Sequence, residues 1–361
     1  MTLALQTLSK SAGAETHLYG LSAELGTEGF NILLGSTGAG KTTLIKLIAG
    51  LEKPSGGLIL LKGRDITRVS PQKRNVALVH QFFVNYPHMS VAENIASPLR
   101  VAGVAGAEID RRVAEAAEIL RLTPYLARRP AELSGGQQQR TALARAIVKD
   151  ADIVLLDEPL ANLDYKLREE LRDQLPRLFA DRGAVVVYAT SEPSEALILG
   201  GQTLTLHEGR LTQAGPTARV YRNPGDLVTA EVFSDPPINR AEIVKQGGEV
   251  RLAQGSAWPA PAALSGEPDG AYQLAVRPHY VTPEDPGGIG AVPITGIVQI
   301  TELSGSESTA HFDLAGRSWV SQSAGTHPYR VGEEHRFFLD PRGCLYFDPD
   351  GQRIAPLSEA A

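Results

Sequence analysis

The chain has 361 residues, of which 42% are hydrophobic and 21% charged, and its formal net charge is −6. This length predicts two domains. The composition excludes a disordered chain. The sequence has no apolar run of the ~18 residues needed to span a bilayer, which excludes an integral membrane protein. The net negative charge does not indicate a nucleic-acid partner. The single cysteine is consistent with a reducing cytosol.

The first motif of the chain is Gly35–Thr42, which fits the phosphate-binding pattern G-x-x-x-x-G-K-[ST]. The apolar run Phe30–Leu34 precedes it as a buried strand should, and a helical pattern follows. Such a loop turns backbone N–H groups toward phosphate oxygens, while Lys41 neutralises phosphate charge and Thr42 offers a hydroxyl to Mg²⁺. The alternative is a plain glycine-rich turn. The complete motif between strand and helix favours nucleotide binding.

Strand-like and helix-like patterns alternate around this motif, after a first 30 residues that indicate short strands and turns. Residues 91–127 and the segment opened by Leu133–Gln137 have helical periodicity. Apolar runs that predict strands occur at Leu58–Leu61, Val76–Val79, Ile153–Leu156 and Val185–Tyr188. We therefore expect an α/β P-loop NTPase domain with a largely parallel sheet and its ligand at the carboxyl ends of the strands.

Two adjacent carboxylates, Asp157 and Glu158, follow one of these predicted strands. One carboxylate at a strand end beside a phosphate loop can hold Mg²⁺, and the next can polarise an attacking water. The alternative is a pair of solvated acids in a strand-to-loop turn. The neighbouring phosphate loop favours the catalytic interpretation.

The pattern changes at Ser234–Asn239, a proline-marked candidate linker. Beyond it, short strands between glycine and proline turns predict a small all-β barrel. The predicted strands are Gln273–Val276, Gly296–Ile300, Ser308–Phe312 and Arg336–Leu339.

Leu133–Gln137 matches the signature sequence of the ABC-transporter ATPases, and the chain resembles that family from about residue 3 to residue 235. The resemblance implies a head-to-tail dimer, in which ATP lies between the phosphate loop of one subunit and the signature of the other. It also implies a Walker A site formed by Gly35, Ser36, Thr37, Gly38, Ala39, Gly40, Lys41, Thr42 and Thr43.

The resemblance assigns further roles residue by residue. Gln81 corresponds to the Q-loop residue, which touches Mg²⁺ and senses the transmembrane partner. Asp157 corresponds to the Walker B acid, a ligand of Mg²⁺ with Thr42, and Glu158 to the general base. The resemblance also places Asp164 in a D-loop, Asn162–Asp164, at the dimer interface. The signature residues expected at the partner's ATP are Ser134, Gly135, Gly136 and Gln137.

Two further segments narrow the resemblance to the ATPases of sugar and polyol importers of the maltose, glycerol-3-phosphate and glycerol type. Tyr86–Asn94 resembles their segment after the Q-loop, and Ala275–Pro278 resembles a motif of their OB-like, TOBE-type regulatory domain. The implied domains are an ABC ATPase over 1–235, with a helical subdomain at about 85–150, and a regulatory domain over 236–361. The implied partners are two permease subunits, a second ATPase subunit and, indirectly, a solute-binding protein, at the cytoplasmic face of the inner membrane.

Two departures from the family pattern bear on the ATP site. Ser191 stands where the family has a switch histidine, and serine has a shorter reach and cannot carry positive charge. Ala12 stands where the family has an adenine-stacking aromatic, which Tyr19 could replace from a shifted loop. We infer a weakened ATP site in a chain that pairs with a different ATPase subunit. The alternative is a homodimer that hydrolyses ATP through Glu158 without the histidine.

Two other functions compete with solute import. A soluble ABC ATPase of DNA repair or translation usually has a second cassette or a long insertion, and this chain has neither. The third candidate is a regulator that binds ATP without hydrolysing it. The replacement of the switch histidine by Ser191 favours this function, whereas the presence of the general base Glu158 argues against it. The resemblance leaves the solute open among sugars, polyols and glycerol, and a degenerate cassette paired with a second one favours glycerol or a related polyol.

Overall fold

The computed structural model describes residues 1–161, 163–180, 182–287 and 290–354. The chain forms two compact units, Met1–Arg222 and Asn223–Ala361. The predicted domain boundary, between residues 235 and 236, falls later than this division. The difference arises because the short helix at Leu227–Val232 buries its apolar side against Leu345 and Phe347 of the second unit.

The described residues of the first unit form ten strands in two sheets. They are β1 (Leu3–Ala12), β2 (Glu15–Leu25), β3 (Phe30–Leu34), β4 (Gly56–Leu61), β5 (Arg64–Asp65), β6 (Val76–Val79), β7 (Ile153–Asp157), β8 (Val185–Thr190), β9 (Gln202–His207) and β10 (Arg210–Pro216). One sheet has the order β10-β9-β3-β8-β7-β6, in which β9 to β6 are parallel and β10 is antiparallel. The other sheet, β2-β1-β4-β5, is antiparallel. The predicted α/β fold with a largely parallel sheet is confirmed.

The first 30 residues differ from the short strands and turns that were predicted, because β1 and β2 have ten and eleven residues. Their pairing contains register shifts between Leu5 and Leu8 and again before Lys10. These bulges break the alternation of buried and exposed side chains by which a long strand is recognised.

Seven α-helices accompany these strands within residues 1–161, 163–180 and 182–222. They are α1 (Lys41–Ala49), α2 (Val91–Val101), α3 (Gly106–Ile119), α4 (Gly135–Ile147), α5 (Tyr165–Ala180), α6 (Pro193–Leu199) and α7 (Thr217–Arg222). Helices α2 to α4 fall within the helical subdomain predicted at about 85–150. Both α2 and α4 begin with a capping box, in which a serine and the residue three positions later satisfy each other's backbone N–H groups.

The central sheet explains why distant motifs lie together. Every residue of β3, β7 and β8 is buried, as expected of strands covered on both faces. Because β8 lies between β3 and β7, their carboxyl ends are adjacent. The backbone N–H of Gly35 donates to Thr190 O at 3.3 Å, and that of Glu158 donates to Ala189 O at 3.0 Å.

In residues 223–287 and 290–354, the second unit has two five-stranded antiparallel sheets and one short α-helix, α8 (Leu227–Val232). Its strands are β11 (Asn239–Gln246), β12 (Glu249–Leu252), β13 (Ala257–Pro259), β14 (Gly270–Val276), β15 (Val281–Thr282), β16 (Val292–Leu303), β17 (Glu307–Leu314), β18 (Arg317–Ala324), β19 (Glu334–Leu339) and β20 (Cys344–Phe347). The sheet orders are β13-β12-β11-β14-β20 and β15-β19-β16-β17-β18. Both sheets contribute to one core that includes Leu274, Phe312 and Trp319. The predicted all-β, barrel-like second domain is confirmed.

None of the helices in the described part of the chain combines the length and the apolar character that a membrane span requires.

Candidate active site

The phosphate loop joins the carboxyl end of β3 to the first turn of α1. Gly40 precedes α1 with φ of 101°, a left-handed conformation that glycine adopts without strain. A Cβ atom there would lie 2.8 Å from Cδ2 of Leu18 and 3.2 Å from the carbonyl oxygen of His17. The loop can therefore pack against β2 only with glycine at this position, and α1 presents its positive end to the loop.

Lys41 is the cation of this loop, and its side chain is almost completely buried. Its Nζ donates to the carbonyl oxygens of Gly35 at 2.6 Å and Ser36 at 3.0 Å. The Nζ also lies 3.6 Å from Oε1 of Glu158. Burial lowers the pKa of Lys41, and the charge of Glu158 opposes this shift. The ammonium is thus held between backbone oxygens and a carboxylate, where phosphate oxygens could compete for it.

Asp157 ends β7 beside the start of α1. The hydroxyl of Thr42 donates to Oδ1 of Asp157 at 3.3 Å, while Oδ2 is buried without a hydrogen-bond partner among the described residues. Burial raises the pKa of this carboxyl. A buried carboxylate oxygen without a donor, beside a hydroxyl, suits a hard divalent cation that takes its other ligands from phosphates and water. No group of three or more His, Cys, Asp or Glu side chains forms a complete cage in the described ranges.

Glu158 has a left-handed backbone conformation, with φ of 48°, which is uncommon outside glycine. Its Oε2 accepts a hydrogen bond from Nε2 of Gln81 at 3.1 Å. The strained turn after β7 therefore directs Asp157 and Glu158 to different tasks. The first lies against Thr42 and the second faces Lys41 and Gln81.

A cavity of about 660 Å³, which we call the nucleotide cavity, is lined by Lys41, Thr42, Gln81 and Glu158, but not by Asp157. One end consists of the phosphate loop and the start of α1. The other end consists of β2 and the turn between β9 and β10. The lining residues are Ala14, Glu15, Thr16, His17, Tyr19, Thr37, Gly38, Ala39, Gly40, Lys41, Thr42, Thr43, Gln81, Glu158, Glu208 and Gly209.

The signature residues lie elsewhere in the same unit. Ser134 caps α4, where its hydroxyl accepts from the N–H of Gln137 at 3.3 Å and Oε1 of Gln137 accepts from the N–H of Ser134 at 3.0 Å. None of the four predicted signature residues lines the nucleotide cavity of its own chain. Asp164 accepts from the N–H of Leu167 at 3.0 Å, and Asn162 of the predicted D-loop lies outside the described residues.

Ser191 follows β8 and is exposed. It is not among the described residues that line the nucleotide cavity. The turn is held by its neighbours, since Oε2 of Glu195 accepts from the hydroxyls of Thr190 at 2.6 Å and Tyr188 at 3.0 Å. Burial raises the pKa of Glu195, with the nearby charge of Glu192 acting in the same direction.

Sequence reasoning missed six residues at the far end of the cavity, which are Ala14, Glu15, Thr16, His17, Glu208 and Gly209. The turn containing Glu208 and Gly209, between two apolar runs, was the available signal for a hairpin. This turn contacts β2, which lies nearly the whole length of the first unit away in sequence. A local sequence pattern could not predict that contact. Tyr19 lines the cavity as well, whereas Ala12 does not.

A second cavity, of about 520 Å³, lies beside the segment that follows Gln81, and we call it the groove. Its rim exposes apolar side chains, including Val84 at 63% and Val101 at 91%. Arg145 lies 4.4 Å from the ring centre of Tyr86 and donates to the carbonyl oxygen of Val84 at 2.6 Å. The lining residues are Leu51, Val76, Ala77, Leu78, His80, Val84, Tyr86, Ser97, Pro98, Val101, Ala102, Ala142, Arg145, Ala146 and Lys149.

Comparison with known proteins gives matches to both units. Residues 18–161 match the family described as ABC transporter, and residues 274–347 match the TOBE domain. The chain is 36% identical, over 98% of its length and 99% of the relative's, to the sn-glycerol-3-phosphate import ATP-binding protein UgpC of Ruegeria sp. (strain TM1040). The protein of the same name from Burkholderia mallei is 38% identical, with 96% of this chain and 97% of the relative covered. The ATP-binding cassette MJ0796, in a dimeric post-hydrolysis state with ADP and Pi, has a TM-score of 0.55 at 26% identity, covering 60% of this chain and 98% of its own.

Proposed function

The chain belongs to the ABC transporter family, and from this premise we propose that it is the ATP-hydrolysing subunit of an importer for sn-glycerol-3-phosphate or a related polyol. The predicted family, with its ATPase cassette and TOBE-type second domain, is confirmed by the two family matches and the near-full-length relatives. The observation that carries the proposal is the convergence of Lys41, Thr42 and Glu158 on one cavity, with Asp157 hydrogen-bonded to Thr42.

The phosphates of ATP would lie in the loop from Gly35 to Thr43. There the backbone N–H groups and the end of α1 bind their oxygens, and Lys41 exchanges its carbonyl partners for the terminal phosphates. Thr42, Asp157 and Gln81 are the residues that would hold Mg²⁺. When bound, this ion neutralises charge on the phosphate oxygens.

Glu158 is the proposed general base, which accepts a proton from the water that attacks the terminal phosphate. Its strained backbone directs the carboxylate into the nucleotide cavity, and Gln81 positions it through one hydrogen bond. Ser191 occupies the position of the family's switch histidine. We expect a slower reaction at this site because a serine hydroxyl reaches less far and carries no charge.

The groove is the proposed docking site for an apolar helix of one permease subunit, so that the two cassettes of a dimer would bind two permease subunits. Its exposed apolar rim near Val84 and Val101 fits such a partner, and Gln81 lies close to it in sequence. A subunit docked in this way would be peripheral at the cytoplasmic face of the membrane. The importer would also require a solute-binding protein, and we propose that the second unit is regulatory.

The signature residues Ser134 to Gln137 would serve the ATP of a second cassette, since they lie away from their own nucleotide cavity. Ser191 predicts that this second cassette is a different chain with a complete site. The names of the relatives mention no second kind of ATPase subunit, so the comparisons do not support one. A homodimer is the alternative. The homodimer and the heterodimer differ in how ATP turnover depends on the concentration of this chain.

The first experiment measures steady-state Mg-ATP hydrolysis by the purified chain with its permeases. Wild type is compared with Glu158→Gln and with the control Glu118→Gln, an exposed carboxylate of α3. Turnover lost only in Glu158→Gln, with ATP binding retained, supports hydrolysis at this site. ATP binding without turnover in wild type and in both variants would favour a non-hydrolytic regulator. The serine at position 191 is the sequence feature that favours this alternative.

The same assay without permeases, across protein concentration, distinguishes the two dimers. Wild-type turnover that rises with the square of concentration at the dilute end means a homodimer. Little turnover from nucleotide-binding wild type, with partial rescue by Ser191→His, means that the chain depends on a different ATPase subunit.

The solute is tested by uptake in cells that lack the gene. Restored uptake of labelled sn-glycerol-3-phosphate by wild type but not by Glu158→Gln supports the proposed substrate. Restored uptake of glycerol or maltose alone would assign the importer to that solute instead.

A further inference from the structure

A third cavity, of about 470 Å³, lies at the edge of the central sheet where β6 and β7 begin, and we call it the basic cavity. Val76 and Ile153, the first residues of these parallel strands, both line it. The nucleotide cavity lies at the opposite edge of the sheet, because the phosphate loop follows the carboxyl end of β3. The two cavities share no lining residue, so a ligand of the basic cavity would not compete with ATP for the same contacts.

The side chains that line the basic cavity carry four positive charges and one negative charge, in a chain whose net charge is −6. The cations are Lys62, Arg64, Lys73 and Arg74, and the carboxylate is Asp152. Nζ of Lys62 lies 2.9 Å from Oδ1 of Asp152, which pairs one cation. Within the described part of the chain, neither Arg64 nor Lys73 forms an ion pair or a side-chain hydrogen bond. The cavity therefore has an excess of positive charge that attracts an anion.

Arg74 places a fixed charge in the wall of this cavity. Its guanidinium is buried and donates to four carbonyl oxygens, including that of Leu47 at 2.9 Å and that of Ile48 at 2.6 Å. Because carbonyl groups are neutral, they hold the guanidinium in place without cancelling its charge. An anion in the cavity would meet a cation that is already ordered, which lowers the entropic cost of binding.

The carboxylate of Asp152 is held by donors on both of its oxygens. Lys62 donates to Oδ1, and Nδ2 of Asn75 lies 3.3 Å from Oδ2. The same amide of Asn75 donates to the carbonyl oxygen of Asp150 at 2.9 Å. Since both carboxylate oxygens already accept hydrogen bonds, Asp152 is not free to act as a base. The cavity therefore suits a ligand that binds without reacting.

The rest of the wall is apolar. Two of its side chains, Ile66 and Ile153, are buried. An anion with an apolar or weakly polar body would contact both kinds of surface, whereas a bare ion would leave the apolar side uncovered. The apolar residues that line the cavity are Leu61, Ile66, Val69, Val76 and Ile153.

We propose that the basic cavity binds a phosphate monoester with a short carbon body. The phosphate group carries nearly two negative charges at neutral pH and would accept charge-assisted hydrogen bonds from Arg64 and Lys73. The carbon body would lie against the apolar side. Arg64 begins β5 and Lys73 ends a short 3-10 helix, so the two cations approach the phosphate from separate segments of the chain.

The test measures binding of sn-glycerol-3-phosphate to the purified full chain by isothermal titration calorimetry. Arg64→Gln and Lys73→Gln, which replace exposed side chains, should each weaken binding about tenfold. Asp152→Asn should strengthen binding several-fold, because it removes the negative charge from the wall. The matched control is Arg68→Gln, at an exposed arginine of the same segment that does not line the basic cavity. It should bind the ester as wild type does.

Two comparison ligands separate the parts of the ester. Glycerol, which has no phosphate, should not bind, and inorganic phosphate, which has no carbon body, should bind more weakly than the ester. Inorganic phosphate that binds as tightly as the ester would contradict the role of the apolar side and assign the cavity to the free ion.

Three results would overturn the assignment altogether. The first is the absence of saturable binding by wild type, and the second is an equal loss in Arg68→Gln and in Arg64→Gln. The third is a loss found only in Lys41→Ala, which would place the ester in the phosphate loop. The assignment does not depend on the proposed ATP hydrolysis, since a chain without Mg-ATP turnover would still bind the ester.

Discussion

Nη1 of Arg168, on α5, lies 2.9 Å from Oε1 of Glu192, the residue that follows Ser191. The same guanidinium donates to the carbonyl oxygen of Ala161 at 3.2 Å, just before the predicted D-loop. One side chain therefore connects the turn after β8 with the turn after β7. Both turns border residues that we propose to act on ATP, so their relative position is set in part by this ion pair.

Breaking this ion pair should affect turnover more than stability. The two side chains are 24% and 40% exposed, and partly exposed pairs contribute about 0.2–1 kcal/mol. We expect a double-mutant cycle of Arg168→Ala and Glu192→Gln, followed by urea unfolding, to give a coupling energy in that range. ATP turnover should fall several-fold in either variant. Lys62→Ala, which breaks the pair with Asp152 at 2.9 Å, should leave turnover unchanged, and an equal fall there would contradict a local effect.

The two capping boxes provide a matched test of the signature. Ser90→Ala and Ser134→Ala each remove the side chain that caps a helix, and each should lower the free energy of unfolding by about 1 kcal/mol. Only Ser134→Ala should also reduce ATP turnover, because we place that serine at the partner's nucleotide. Similar turnover in both variants, measured where both are folded, would limit Ser134 to its structural role.

Arg74 should be a strong determinant of stability in the first unit. Its buried guanidinium donates to the carbonyl oxygens of Leu47 at 2.9 Å and Ile48 at 2.6 Å, in the last turn of α1. Further bonds go to the carbonyl oxygens of Val69 and Thr67. Arg74→Ala leaves buried carbonyls unsatisfied, so we expect a loss of about 3 kcal/mol in the free energy of unfolding. Arg68→Ala, at an exposed arginine nearby, should lose less than about 0.5 kcal/mol.

Glu195 should give the fold a measurable pH dependence. Burial raises its pKa above the ordinary value of 4.5, so the native state holds the proton more tightly than the unfolded state does. This contribution is fully present below the unfolded pKa and is lost as pH rises through the folded pKa. Glu195→Gln keeps an oxygen that can accept from Thr190 and Tyr188 but has no proton to lose.

The stability of Glu195→Gln relative to wild type should therefore increase with pH. Urea unfolding followed by circular dichroism, between about pH 4 and about pH 8, measures the difference. Glu118→Gln, at an exposed carboxylate, should track wild type throughout. A constant difference between Glu195→Gln and wild type would show that the buried carboxyl does not titrate in this range.

Local patterns were sufficient to predict the elements that hold the phosphate loop. The unbroken apolar runs before Asp157 and after Ala184 correspond to β7 and β8, extended by one and two residues. Strands that are buried on both faces leave this signature in sequence. The glycine spacing of the loop likewise indicated its chemistry, because few other residues fit such a turn.

Contacts between distant segments could not be predicted in this way. Gln81 and Glu158 are 77 positions apart, and only the order of β6, β7 and β8 brings them together. The division after Arg222 was missed because the prolines at 236 and 237 were the visible signal, whereas the packing of α8 decides to which unit the segment belongs. The far end of the nucleotide cavity depends on a turn of β9 and β10 closing onto β2, which no local pattern contains.

The hydrogen bond between Gln81 and Glu158 has a consequence for the coupling of solute transport to ATP hydrolysis. Gln81 begins the segment that borders the groove, where we propose that the permease docks, and Glu158 is the proposed base. Under these two proposals, one side chain connects the permease with the catalytic carboxylate. A permease that arrives with its solute could release or reposition that amide by a shift of about 1 Å, enough to weaken a hydrogen bond. Such a subunit would hydrolyse ATP slowly in the absence of solute, so the cell would not consume ATP in transport cycles that carry no solute.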